Sequence, residues 1–127
     1  MGRERFMTKN NEIFQIENEL VLRTYNNHDN YLIEEENSNS EYAVIYFSVN
    51  GIYYPNNSSE FKEKIITNNR FEWRNRNKLA GVKKHIFLRD VFKQWYIESI
   101  NSKLDSIEKV ISFLKSKTNN LKIITLG

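Results

Sequence analysis

Tyr42-Ala43-Val44-Ile45-Tyr46-Phe47 is an unbroken apolar run built from β-branched and aromatic residues. Such a run lacks the in–out alternation of a half-exposed strand, so it predicts a strand covered on both faces, as in a parallel sheet flanked by helices. It leads into Ser48-Val49-Asn50-Gly51 and then Ile52-Tyr53-Tyr54-Pro55. Asn57 follows as a helix cap, with Glu60 three residues on. The order is therefore strand, glycine-bearing loop, helix. Phe61, Ile65 and Ile66 give that helix a narrow apolar face of about three turns, ending near Asn68-Asn69.

Downstream the same alternation repeats. Val82 to Leu88 returns to strand character, with Ile86-Phe87-Leu88 as its buried part, and ends on Arg89-Asp90. In open α/β sheets ligands bind just past the carboxyl ends of the strands. Arg89 and Asp90, with Tyr53 beyond the first such strand, are accordingly substrate-pocket candidates; an Arg-Asp pair is equally a structural bridge. His85, ahead of the buried part, reads as a satisfied structural histidine. Val91-Phe92 and Trp95-Tyr96 suggest a helical turn packing aromatics inward. Leu104, Ile107, Ile111 and Leu114 recur at intervals of three, four and three, with Val110 and Phe113 widening the stripe of a second helix. Ser102 and Asp105 form a capping-box pattern, and Lys115 and Lys117 complement the helix dipole. Leu121 to Leu126 is a third strand, and Gly127 follows it.

Upstream, Ile13 to Ile16, Leu20 to Leu22 and Tyr31 to Ile33 read as small strands. Asn26-Asn27-His28-Asp29-Asn30 forms a hairpin turn that carries a solvated His28. Glu34 to Ser40 reads as an acidic loop. The fold class expected is α/β: antiparallel strands at the amino end, then strand-helix-strand-helix-strand with parallel pairing and right-handed crossovers, in one domain spanning residues 1–127.

Composition narrows the function classes. Hydrophobic residues at 39% support a single folded core, while 19 basic against 16 acidic residues is too even a balance to imply a nucleic-acid or anionic-membrane partner by itself. The absence of cysteine excludes disulfides and thiolate-metal sites and suits a reducing compartment, so a cytoplasmic location is expected. No segment approaches the roughly 18 apolar residues of a membrane span, and no metal or cofactor is expected. Arg70-Phe71-Glu72-Trp73-Arg74-Asn75-Arg76-Asn77-Lys78 interleaves aromatic with basic residues. That is the composition of a phosphate-binding or base-stacking surface, and equally of a surface connection anchored to the sheet by its two aromatics.

A leading antiparallel portion followed by this alternation resembles the front half of the α/β-hydrolase fold, in which a strand enters a strained G-x-S-x-G turn carrying the nucleophile. The segments YFSVNGIYYPNNSSEF, KKHIFLRDVFKQWYIESINSKLDSIEKVISFL and LKIITLG resemble bacterial α/β-hydrolase-like proteins of polysaccharide-biosynthesis gene clusters, over roughly Tyr42 to Gly127. In that group the last segment continues into a Gly-Ser-Ser-Ala-Gly-Gly elbow. The resemblance implies that Gly127 is the elbow's first glycine. It makes Ser48, Val49, Asn50 and Gly51 the loop whose backbone NH groups help form an oxyanion hole. The family carries a glycine where Val49 stands, and a β-branched residue restricts the backbone there.

No triad member has a counterpart here. The resemblance thus implies the amino-terminal portion of a serine esterase or acyltransferase, inactive alone, whose full-length relatives act on an acylated sugar or polysaccharide. The competing expectation is a non-catalytic sugar- or nucleic-acid-binding module using Arg70, Trp73, Arg74 and Arg76. A hydrolase sheet ending after Leu126 would leave Ile123, Ile124 and Leu126 on an open edge, so self-association through this strand is expected.

Overall fold

The structure, a computed structural model, describes residues 18–48, 50–75 and 78–127. Ile13 to Ile16, Val49, Arg76 and Asn77 lie outside the described residues. The chain order is helix α1 (Glu19–Asn27), strands β1 (Tyr31–Glu35) and β2 (Tyr42–Ser48), a 3-10 turn (Asn50–Ile52), helix α2 (Ser58–Phe61) continuing as a π-helical stretch (Lys62–Thr67), strand β3 (Lys84–Arg89), helix α3 (Ile107–Lys117) and strand β4 (Lys122–Leu126).

The strands form one mixed sheet in the order β1-β3-β2-β4. β2 is parallel to both neighbours, opposing Ala43 to Lys84 and Ser48 to Arg89 on one side and Tyr42 to Lys122 and Tyr46 to Leu126 on the other. β1 is antiparallel to β3, with Tyr31 opposite Leu88. The expected α/β architecture with parallel strand-helix-strand units is thus present as a four-stranded mixed sheet with helices.

The connections take opposite faces. On one face Val110 and Leu114 of α3 pack on Ile45, Ile86 and Leu88. On the other, Phe71 and Val82 of the β2–β3 connection cover Val44, Tyr46 and Phe87. This double cover explains why the Tyr42–Ser48 run shows no alternation: Ala43 to Tyr46 are all buried. A third cluster joins Val21 of α1, Ile52, Tyr53, Phe61, Ile65, Val91 and Phe92. Ile52 and Tyr53 follow β2, and Val91 and Phe92 follow β3, so this cluster closes over the carboxyl ends of the two central strands.

Several expectations are corrected. Leu20-Val21-Leu22 is not a strand but part of α1, because the Asn18 side chain accepts from the Leu20 and Val21 amides and starts a helix that buries Val21 and Thr24 on one side. A three-residue apolar run is too short to separate period 2 from period 3.6. No hairpin therefore crosses Asn26 to Asn30, and the antiparallel portion among the described residues is β1 alone, paired with β3. Glu34 and Glu35 belong to β1 rather than to a loop. Asn57 caps α2 as expected, accepting from Glu60 N at 2.9 Å. α3 starts one turn later than its capping-box pattern implied: Ser106 caps it, and Asp105 pairs with Lys109 instead. The inward face of α3 centres on Val110 and Leu114, leaving Ile107 and Ile111 at 55% and 45% exposure. Phe113 sits beside Tyr31 with ring centroids 4.6 Å apart.

Among the described residues β4 is the outermost strand beside β2, and its far backbone edge has no partner strand among them. Ile124 and Leu126, expected to be exposed, instead pack against the Tyr46–Phe87 cluster; Ile123 stays 46% exposed. An open edge bearing an exposed β-branched residue favours strand pairing between copies. Sedimentation of a dilution series should show concentration-dependent self-association that Ile123→Lys reduces. A wild-type chain monomeric at every concentration would contradict this.

Candidate functional site

The parallel register sends the loops after β2 and β3 to the same edge of the sheet. Because β3 lies on one side of β2 and β4 on the other, strand order reverses at β2, which makes its carboxyl end a topological switch point. The expected oxyanion-loop residues Ser48 and Gly51 stand here, and Asn50 begins the 3-10 turn. Ser48 is fully buried, and its hydroxyl accepts from Glu72 N at 3.0 Å while its carbonyl accepts from the Tyr96 hydroxyl at 2.7 Å. The Gly51 carbonyl accepts from Arg70 Nε at 3.2 Å. A Cβ on Gly51 would run into the Glu72 carboxylate, so the glycine permits a close approach of loop and side chain. Gly127 ends up beside the same loop, its would-be Cβ 3.3 Å from Phe47 Cβ.

The substrate-pocket candidates Tyr53, Arg89 and Asp90 all lie at this edge, and all three are buried. Tyr53 donates its hydroxyl to Val91 O at 3.1 Å. Arg89 and Asp90 form no bridge to each other. The Arg89 guanidinium donates to Asn30 Oδ1 at 2.9 Å, to Asn69 Oδ1 at 2.8 Å and to Arg70 O at 3.3 Å, and lies 4.6 Å from the Phe71 ring centroid. Burial lowers its pKa to about 10. Asp90 turns the other way and accepts from the amides of Phe92, Gln94 and Tyr96 at 2.8–2.9 Å. Burial raises its pKa, with those amides acting in the opposite sense.

The segment after β3 is therefore not the helical turn expected from Val91-Phe92 and Trp95-Tyr96. It is a loop wound on one carboxylate, with Lys93, Trp95, Tyr96 and Ser99 at positive φ of 55–62°. Four non-glycine residues in the left-handed region cost about 1–2 kcal/mol each. Three hydrogen bonds to a charged acceptor, each contributing about 1.5–3 kcal/mol, offset that. Trp95 is 79% exposed as a result, while Val91 and Phe92 remain inward.

Lys93 straps the loop to the β2–α2 segment. Its Nζ donates to Tyr53 O and, at 2.8 Å, to Asn56 Oδ1, and sits 3.9 Å from the Tyr53 ring centroid. Sequence reading missed this residue, because an isolated lysine in a polar stretch carries no periodic signal.

His85 is confirmed as a satisfied core histidine. Its Nδ1 meets the Tyr46 hydroxyl at 2.8 Å and its Nε2 meets Glu36 Oε2. The Tyr46 oxygen also accepts from Leu79 N at 2.9 Å. His28 is an exposed residue at the carboxyl end of α1. In the basic stretch, Phe71 is the buried anchor, while Arg74 and Lys78 both pair with Glu34, at 2.9 and 3.1 Å, and lower its pKa against the opposing effect of burial. No group of three or more His, Asp or Glu side chains that could hold a metal occurs among the described residues, and no helix among them is long and apolar enough to cross a membrane.

No family model matches this chain, and neither does any curated protein or solved structure. Function must therefore be argued from the geometry of this edge.

Two measurements test that geometry. Tyr46→Phe removes the acceptor of the part-buried Leu79 amide and the partner of a buried imidazole together, so urea denaturation should show a loss of about 1–3 kcal/mol, whereas Tyr42→Phe on the exposed end of β2 should be near neutral. Lys93 has its pKa lowered by burial from 10.5 to about 8, with Glu72 acting weakly in the opposite direction. Between those values the unfolded chain holds the proton and the folded chain releases it. Its contribution to stability is thus present above pH 10.5 and lost as pH falls through about 8. Denaturation midpoints should rise across that window, and Lys93→Met should flatten the rise.

Proposed function

We propose that this chain forms the switch-point half of an α/β-hydrolase-like scaffold of the serine esterase or acyltransferase type, linked to bacterial polysaccharide biosynthesis and acting on an acylated sugar. The single observation that supports this reading is the meeting of two strand ends, those of β2 and β4, at one edge. The Ser48–Gly51 loop leaves β2 between two parallel strands, and Gly127, after β4, packs on Phe47 beside it. In the hydrolase arrangement the nucleophile elbow follows the strand that corresponds to β4, and an NH from the loop after β2 joins the NH following the nucleophile to hold the oxyanion.

The chemistry would divide accordingly. A serine beyond Gly127 would attack the acyl carbonyl, a histidine would take its proton, and the loop after Ser48 would stabilise the charge that develops on oxygen. Of these parts the 127 residues carry only the loop, since no Gly-x-Ser-x-Gly occurs among them. Ser48 does not substitute for the nucleophile: it is buried, and the base nearest in character, His85, is committed to Tyr46 and Glu36. The role of Tyr53, Arg89 and Asp90 is to shape this edge from beneath rather than to touch substrate, because their polar atoms are already engaged within the fold.

The chain as it stands should neither hydrolyse short acyl esters nor be labelled by a fluorophosphonate; stoichiometric labelling of any of its serines would overturn the reading. Its coding frame should continue past Gly127 into a Ser-Ser-Ala-Gly type of elbow. A stop codon there, in a normally expressed protein, would favour a binding module instead.

A further inference from the structure

We infer that the groove between the π-helical stretch and the turn after it is a binding site for a small sugar that bears a phosphate or carboxylate. The groove has a volume of about 420 Å³ and is lined by three cations, Lys64, Arg70 and Arg74, and three amides, Asn68, Asn69 and Asn75, over Phe71. None of these side chains is acidic, in a chain with 16 acidic residues.

The wall behind the groove carries a further positive charge. Arg89 is 1% exposed, and the acceptors that hold it, Asn30 Oδ1, Asn69 Oδ1 and Arg70 O, are all neutral oxygens. A buried guanidinium held only by neutral groups leaves its field uncompensated in a region of low dielectric. That field reaches the groove through Asn69 and Arg70, both of which line it. An anion in the groove would supply the missing counter-charge.

The cations keep capacity for it. Arg70 uses Nε on Gly51 O, and Arg74 uses Nε on Glu34, which leaves the terminal guanidinium nitrogens of each to form a bidentate pair with an oxyanion. Lys64 has only a long contact of 3.4 Å to Glu60. The helix-end carbonyls of Glu63, Lys64 and Ile65 accept from the amides of Asn68, Arg70 and Asn69, so their hydrogen bonds are made within the turn.

The amides select the rest of the ligand. Asn68 and Asn75 each offer donors and an acceptor, and Asn69, whose Oδ1 holds Arg89, offers its amide donors, a set that suits hydroxyl groups able to do both. A single-stranded nucleic acid would instead need exposed aromatic faces for its bases; among the described residues of the lining the one aromatic ring, Phe71, is buried. A volume of this size also matches a small-molecule pocket. The site needs no nucleophile, so it stands or falls separately from acyl transfer.

Titration of the purified chain with glucose 6-phosphate and with glucuronate, followed by two-dimensional NMR, tests the assignment and shows which anion is preferred. Saturable shifts are expected at the side-chain amides of Asn68, Asn69 and Asn75 and at Arg70 Nε. Lys64→Gln and Arg74→Gln should each weaken binding by about tenfold, the loss of one charge-assisted contact, with backbone dispersion unchanged. Should Arg74→Gln disturb the fold by freeing Glu34, Asn75→Ala replaces it as a probe of the hydroxyl contacts. Absence of saturable shifts with either anionic sugar would overturn the proposal. So would glucose binding as tightly as its phosphate, or inorganic phosphate binding as tightly as the sugar phosphate, since the first would remove the role of the cations and the second that of the amides.

Discussion

Strand β2 must be paired on both edges and covered on both faces, and most of the fold follows from that demand. Its edges take β3 and β4 in parallel, and parallel pairing requires each return to cross over the sheet. With β3 and β4 on opposite sides of β2, crossovers of one hand must lie on opposite faces. The contacts agree: α3 covers the Ile45 face and the Phe71–Val82 segment covers the Tyr46 face. The same constraint creates the switch point at Ser48, so the candidate site is a consequence of how β2 is buried rather than a separate feature laid on the fold.

At the carboxyl ends of the central strands, polarity rather than apolar packing sets the chain's path. Arg89 and Asp90 are adjacent in sequence but organise different segments. Arg89 draws in the start of β1 through Asn30 and the turn after the π-helical stretch through Asn69 and Arg70, while Asp90 winds the loop that follows. Taking a guanidinium out of water costs several kcal/mol, and the hydrogen bonds and the Phe71 contact return an amount of the same order. Its net contribution to stability is then small. What it does supply is position, because its donors tie β3 to the start of β1 and to the turn after the π-helical stretch. Apolar side chains could fill the same volume in several ways and would leave the groove beside Asn69 without its field.

The parallel strands were legible in the sequence because they depend on apolar runs; their order, and with it the switch point at β2, was not. Tyr42 to Phe47, the end of β3 at Arg89-Asp90 and the Asn57 cap could each be read from neighbouring residues alone, whereas Ser48, which reads as the first loop residue, is the last of β2. The parts that were not legible depend on contacts far apart in the chain. Leu20 to Leu22 is helical because Asn18 caps it and because Val21 meets Phe61 and Val91, neither of which a local window contains. The loop after Asp90 was misread because Val91, Phe92, Trp95 and Tyr96 do have helical spacing; the buried carboxylate outweighs the spacing by gathering three amides that a regular helix would have directed along its own axis. For the groove, Lys64 and the stretch from Asn68 to Asn75 were visible as letters, but their common boundary exists only once Arg89 pulls the turn inward.

The relation between the groove and the edge at the carboxyl end of β2 has a physical basis in one side chain. Arg70 lines the groove and also donates to the Gly51 carbonyl, so an anion that orders its guanidinium would also fix the backbone at Gly51. The Glu72 carboxylate lies close against Gly51, and the Glu72 amide donates to the Ser48 hydroxyl. Binding energy gained at the groove could therefore be used to hold the loop in one geometry, which is the requirement of a site whose donors must stand in place before charge develops.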